Sequence, residues 1–261
     1  MTRLRPSQGH GKTSRMTPLW IAGATCLMTL LGGLLALRLR AQRGLVLAFC
    51  AGTLVAGALM ELIPKALELL ESTHGQLNHH HLLAVCALGF LVFYLFEHST
   101  HHESADTYDH PLHYDHTCQA GLWGAAGICA HSFFDGVAIG GAFQVGTEIG
   151  WVVALAVLLH KIADGASTVG VMLGTRHTTQ TTTLVLGIGA IAPAAGLWSQ
   201  SFLVLPEPVL GLMLGWFAGV FLYLGASALL PAAHEQSHSR WLPLTTLAGA
   251  AFLYLTQAWA G

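Results

Sequence analysis

Eight apolar stretches of helix length, separated by short polar joints, leave this chain few ways to fold. They run over Pro18–Leu37, Gly44–Leu70, Leu82–Phe96, Gln119–Phe143, Ile149–Leu173, Thr181–Trp198, Val209–Ala232 and Trp241–Ala260. A bilayer core about 30 Å thick takes roughly 20 residues of helix. Inside it every backbone N–H and C=O must be satisfied within the segment or by closed pairing, so such runs form helices. Composition agrees: 53% of the residues are hydrophobic and only 9% are charged, against roughly a quarter charged in soluble domains. The expected fold is an all-α integral membrane protein with eight transmembrane helices, a polar tail over 1–17 and a transmembrane domain over 18–261. The first run looks like a signal peptide but is too long. It ends in Arg38 and Arg40 without a small-residue cleavage site, so it is expected to stay. Leu82–Phe96 is short and must recruit flanking residues.

The polar residues inside these runs carry the chemistry. His131-Ser-Phe-Phe-Asp135-Gly and His160-Lys-Ile-Ala-Asp164-Gly each place His and Asp at i and i+4, one turn apart on one helix face. The two segments are consecutive and antiparallel, and both pairs fall near mid-segment. Ionisable groups there are costly and mark functional sites by default. A lone buried histidine is more often a hydrogen-bonded structural residue, but two matched pairs point to a metal held by His131, Asp135, His160 and Asp164. Neutral imidazole with carboxylate suits zinc, iron(II) or manganese better than copper(I). Gly136 and Gly165, which follow the aspartates, open room or allow a kink.

Glu61 lies in the second run, three residues before Pro64. It is either neutralised by Lys65 one turn on, or serves as a gate or fifth ligand. Ser132 and Lys161 sit beside the ligands as pathway or neighbouring groups. Lys161 and Asp164 are i and i+3, so the ammonium can lie against that carboxylate as a fixed cation where a second metal would sit; the alternative is a lysine snorkelling along its helix. Tyr223 and Ser227 read as packing and interhelical hydrogen-bond groups.

Between the third and fourth runs lies EHSTHHESADTYDHPLHYDHTC, residues 97–118, with His98, His101, His102, His110, His113 and His116 among five acids and no Lys or Arg. Its spacing fits no fixed tetrahedral site, and it reads as a loose metal-collecting loop rather than a mere solvated linker. The five cysteines form no CxxC pair and read as small buried hydrophobes. Net charge is −2 and the longest basic run is LRLRAQR, which speaks against a nucleic-acid partner. Counting Lys and Arg by side gives five against four, which leaves orientation undecided by the positive-inside rule.

HSFFDGVAIG resembles the fourth-helix signature of the ZIP family of divalent-metal transporters, close to H-N-x-x-[DE]-G-x-A-x-G. LLHKIADG is similar to that family's fifth-helix motif, and GFLVFYLFEH and FAGVFLYLGASALLPAAHE resemble its third and seventh helices. The resemblance implies a ZIP-type bundle with helices 4 and 5 forming the central metal site. It also implies an outside N-terminus, a cytoplasmic histidine-rich loop, and inward transport of zinc, or of iron, manganese or cadmium. The sequence departs from the pattern at Ser132, where the family usually has Asn, and at Lys161, where many members carry an acid. The sixth run, LVLGIGAIAPAAGL, has no acid; these are the positions at which family members with paired metals hold the second ion, so the resemblance leaves a second metal position open. The expected partners are a divalent ion and the lipid bilayer, with a second copy of the chain as a candidate dimer partner, in a plasma or bacterial inner membrane. An intramembrane zinc hydrolase, ceramidase-like, is the alternative; the absence of HExxH counts against its peptidase form.

Overall fold

The computed structural model describes residues 17–71, 79–102, 115–175, 177–199 and 206–260, and among them there is no strand. Ten α-helices account for nearly all of it: α1 Thr17–Arg38, α2 Arg43–Gly57, α3 Ile63–Glu71, α4 His79–His102, α5 Asp115–Val145, α6 Thr147–Gly174, α7 Thr179–Ser199, α8 Glu207–Leu222, α9 Leu230–Gln236 and α10 Leu242–Ala260. Seven segments are long and apolar enough to cross a membrane: Trp20–Arg38, Arg40–Glu71, His79–His98, Gly121–Gln144, Gly150–Gly174, Thr179–Ser199 and Glu207–Gln236. The protein is therefore an integral multi-pass membrane protein. The eighth expected crossing is helical throughout, as α10, but is not among the seven; Thr245, Thr246, Thr256 and Gln257 dilute its apolar run.

Two crossings are single rods with a widened turn. Between α2 and α3 the backbone makes a π-turn over Ala58–Leu62, and between α8 and α9 another over Tyr223–Leu229. Both have one cause. Pro64 and Pro231 lack an N–H, and their rings would strike the carbonyl four residues back. Ile63 and Leu230, just before them, instead donate five residues back, to Ala58 and Gly225, and the wider loop clears the ring. Glu61 lies inside the first π-turn.

The short third run recruits flanking residues at both ends: the crossing starts at His79 and reaches His98. The loop expected over 97–118 is shorter than its composition suggests, because α4 continues through Glu97 to His102 and α5 begins at Asp115. His98 is exposed in α4. His101, His102 and His116 lie on helical backbone but their side chains are outside the described residues, as are His110, His113 and the tail over 1–16.

Over their most apolar stretches, the crossings α2–α3, α5, α6 and α8–α9 have half or more of their residues buried, against a third or less for α1, α4 and α7. The inner four share the main core, with Leu47, Leu54, Leu62, Ile128, Val169, Phe217 and Phe221 at its centre. Outward-facing leucines, such as Leu31, Leu91, Leu184 and Leu247, have hydrocarbon as their natural neighbour. Exposed tryptophans sit near the helix ends. Trp20, Trp151, Trp198 and Trp259 mark one end of the bundle and Trp123 and Trp241 the other, as expected of rings at the two interfaces. The latter is called the histidine-rich end below, since α4 stops and α5 starts there.

Helix backbones approach too closely for any side chain at several glycines, two of them beside the site. A Cβ on Gly165 of α6 would strike the carbonyl of Thr29 in α1, and one on Gly136 of α5 the carbonyl of Pro193 in α7. Each glycine follows a site aspartate. Their role is to bring α1 and α7 hard against the helices that carry the site, rather than to kink them.

Candidate metal centre

His131 and Asp135 come 10 and 14 residues after the start of the crossing Gly121–Gln144, and His160 and Asp164 come 10 and 14 residues after the start of Gly150–Gly174. At 1.5 Å per residue this sets all four about 15–20 Å below the surface of an interior that has no water to solvate them. All four are buried. The packing of α5 on α6 turns the two pairs toward each other, and one potential ligand atom from each lies within 4.8 Å of the other three. No other such group of His, Cys, Asp or Glu occurs among the described residues.

Asp135 is the hub. Its Oδ2 stands 3.4 Å from His131 Nε2 and 3.3 Å from His160 Nε2, while Asp164 Oδ2 stands 4.0 Å from the same His160 nitrogen. Zinc bonds of about 2.0–2.2 Å in a tetrahedron would bring such atoms to about 3.4 Å from one another. The ring is thus the right size to close on an ion after the wider contacts shrink by roughly 1 Å. The donor set fits a borderline divalent metal. His131 Nδ1 is buried without a hydrogen-bond partner, an open valence that a water or a ligand shift can use. The His131 ring is held edge-on by Phe221 at 5.1 Å and flanked by Phe217 at 6.3 Å, so α8 supplies the wall behind it.

Glu61 stands behind His160 rather than in the ring. Its Oε1 is 3.1 Å from His160 Nδ1, outside hydrogen-bond alignment, and 2.8 Å from Lys65 Nζ. Both readings of Glu61 thus meet in one place: it is paired by Lys65, and it faces the far nitrogen of a ring histidine. A carboxylate there favours the tautomer that leaves Nε2 free for a metal. Lys161 is fully buried and does not snorkel. It donates to Asp135 and Asp164, both at 2.5 Å, and to Ser132 Oγ at 2.9 Å; Ser132 in turn donates to Asp164 at 3.4 Å.

Sequence reasoning overlooks two hydroxyls. Thr53 and Ser167 hydrogen-bond each other at 3.0 Å, and they line a narrow cavity that also touches Glu61, His131 and Asp164. Ser167 is three residues past Asp164 on the same face, which is the signal that was there to find. A separate, larger cavity at the histidine-rich end is lined by Glu97, Thr175, Ser227 and Glu235 among others. Tyr223 donates to Glu97 at 2.5 Å and packs on Phe90 and Phe93, which ties α4 to the second π-turn. His234, on α9, is exposed.

With this geometry in view, the comparison with known proteins is decisive. The family model described as ZIP Zinc transporter matches residues 102–256, more than half of the chain and all of the ring. The chain belongs to the ZIP zinc transporter family. Zinc transporter zipt-7.1 of Caenorhabditis briggsae is a curated relative, 26% identical over 112 residues, or 41% of this chain. The matched part is 28% of that protein's length, so the chain aligns with well under half of it. Against the ZIP pattern, Ser132 and Lys161 remain the departures, and they are hydrogen-bonded to each other.

Proposed function

We propose that this protein moves zinc, or a neighbouring divalent ion, across a membrane through a site formed by His131, Asp135, His160 and Asp164. The observation that carries the reading is the convergence of these four buried side chains within 4.8 Å at the middle of two apolar crossings. Beside the ring lies a narrow cavity that Thr53, Glu61 and Ser167 also line. Alternating access fits a ring whose contacts are wider than a closed metal site. In this proposal α10 is an eighth crossing. It is 19 residues long, packs along α2 and α6, and sets Phe252 at a tilt against Phe49, ring centres 5.9 Å apart. Eight crossings place both termini on one face. Following the ZIP pattern, that face is outside, the histidine-rich end is cytoplasmic, and the ion moves inward. A hydrolase is not favoured for a chain of this family.

Uptake of radioactive zinc into proteoliposomes, with iron, manganese and cadmium as competitors, tests the reading. Saturable zinc uptake by the unmutated protein supports it, and no flux of any of the four ions contradicts it. Glu61→Gln leaves the ring's four ligands in place but removes the charge facing His160. It is expected to weaken zinc binding by roughly 10–100-fold, as loss of a group orienting a metal-bound histidine does. A Glu61→Gln protein with unchanged affinity would remove Glu61 from the site.

The histidines of the 97–118 segment collect metal in this account but do not form the path. Replacing His98, His101, His102, His110, His113 and His116 together by Ser should leave uptake measurable and change mainly its dependence on ion concentration. Complete loss in a properly inserted protein would put the segment in the path itself.

A further inference from the structure

The least expected group at the ring is Lys161. It is the largest fully buried side chain among the described residues. Its ammonium has three N–H groups, and all three are used, on Asp135 Oδ2, Asp164 Oδ2 and Ser132 Oγ. The two aspartate atoms are the same ones that face His131 and His160. An ion taking hold of Asp135 Oδ2 and Asp164 Oδ2 therefore meets a cation already bound to both. Two carboxylates and one ammonium leave the empty ring with one net negative charge. A divalent ion would bring it to one positive if Lys161 stayed in place, in surroundings that screen charge poorly.

We propose that Lys161 is a tethered competitor for the transported ion. It holds the two carboxylates together when the ring is empty, yields them when the ion binds, and returns to help expel it. This rests on the reading that the ring binds the ion, and it assigns to Lys161 a role that the ligand set alone does not. A side chain that only braced α5 against α6 would keep its contacts whether or not the ion was present. A competitor must give up at least one of them. The same ammonium occupies the oxygen-lined space beside the ring, so the unmutated protein holds one intramembrane ion and not two.

The test uses the full chain with the six histidines of the 97–118 segment changed to Ser, so that only intramembrane binding is counted. Zinc affinity is read by competition with a chromophoric chelator, and turnover by proteoliposome uptake. Lys161→Met removes the charge at similar bulk and is expected to bind zinc at least about tenfold tighter with slower turnover. Lys161→Arg keeps the charge and should stay within about threefold of the parent affinity. Equal or weaker binding by Lys161→Met, with the parent still holding one zinc, would overturn the role of Lys161 while leaving the ring intact. No zinc bound by the parent would remove the ring, and the proposal with it. Should Lys161→Met fail to fold, the zinc-loaded parent structure decides instead. The proposal expects Lys161 Nζ to have left hydrogen-bond distance of at least one aspartate. Contact with both beside a bound ion, or two intramembrane ions, would overturn it.

Discussion

Asp135→Asn is expected to cut zinc uptake below about 1% of the parent rate while the protein still inserts and elutes normally from a sizing column. The reason is a charge count at the hub of the ring. Asp135 Oδ2 faces His131, His160 and Lys161. Asparagine keeps the shape and a neutral oxygen, but leaves Asp164 alone against Lys161, so the ring carries no net charge to attract a dication. The fold should survive, because Lys161 keeps Asp164 and Ser132 as partners. Uptake within about twofold of the parent would show that Asp135 is not a ligand, since loss of an anionic ligand from so small a set cannot be that mild.

The second large effect is on stability. Gly165→Leu puts a side chain where the Thr29 carbonyl and the Gly33 nitrogen already stand. Both obstacles are backbone in the middle of α1, so α1 must move away from α6. Overpacking of a tight contact costs about 1–3 kcal/mol, and backbone obstacles belong at or above the upper end. The melting midpoint in detergent should fall by several degrees, by roughly 2–4 °C per kcal/mol for a chain of this size. Uptake should fall with it, because Asp164 is the adjacent residue. Gly187→Ala is the control: nothing stands within 4 Å of that position, and alanine favours a helix by about 0.5–1 kcal/mol over glycine. An unchanged midpoint for Gly165→Leu would show that α1 does not pack as described.

Much of the site is legible in the sequence because helix geometry alone carries it. The i, i+4 spacing puts His131 over Asp135 and His160 over Asp164, and equal offsets into consecutive crossings bring the pairs to one depth. What spacing cannot carry is contact between helices. It puts Lys161 beside Asp164, but its reach to Asp135 and Ser132 depends on how α5 lies against α6. The Thr53–Ser167 pair depends likewise on α2 meeting α6. Prolines leave a different gap. Pro64 can be seen three residues past Glu61, but not how the backbone passes it: the helix continues through a π-turn. The same happens before Pro231. The histidine-rich segment is polar enough to read as loop over its whole length, yet both of its ends are carried into helix by their apolar neighbours in α4 and α5.

The central claim is that the transported ion sits among His131, Asp135, His160 and Asp164. Anomalous scattering at the zinc edge, on crystals of the zinc-loaded protein lacking the six histidines of the 97–118 segment, tests it most directly. The account predicts one intramembrane peak, about 2.0–2.2 Å from ligand atoms of these residues. A peak bounded by other side chains with this ring empty, for example between Glu97 and Glu235, would contradict it.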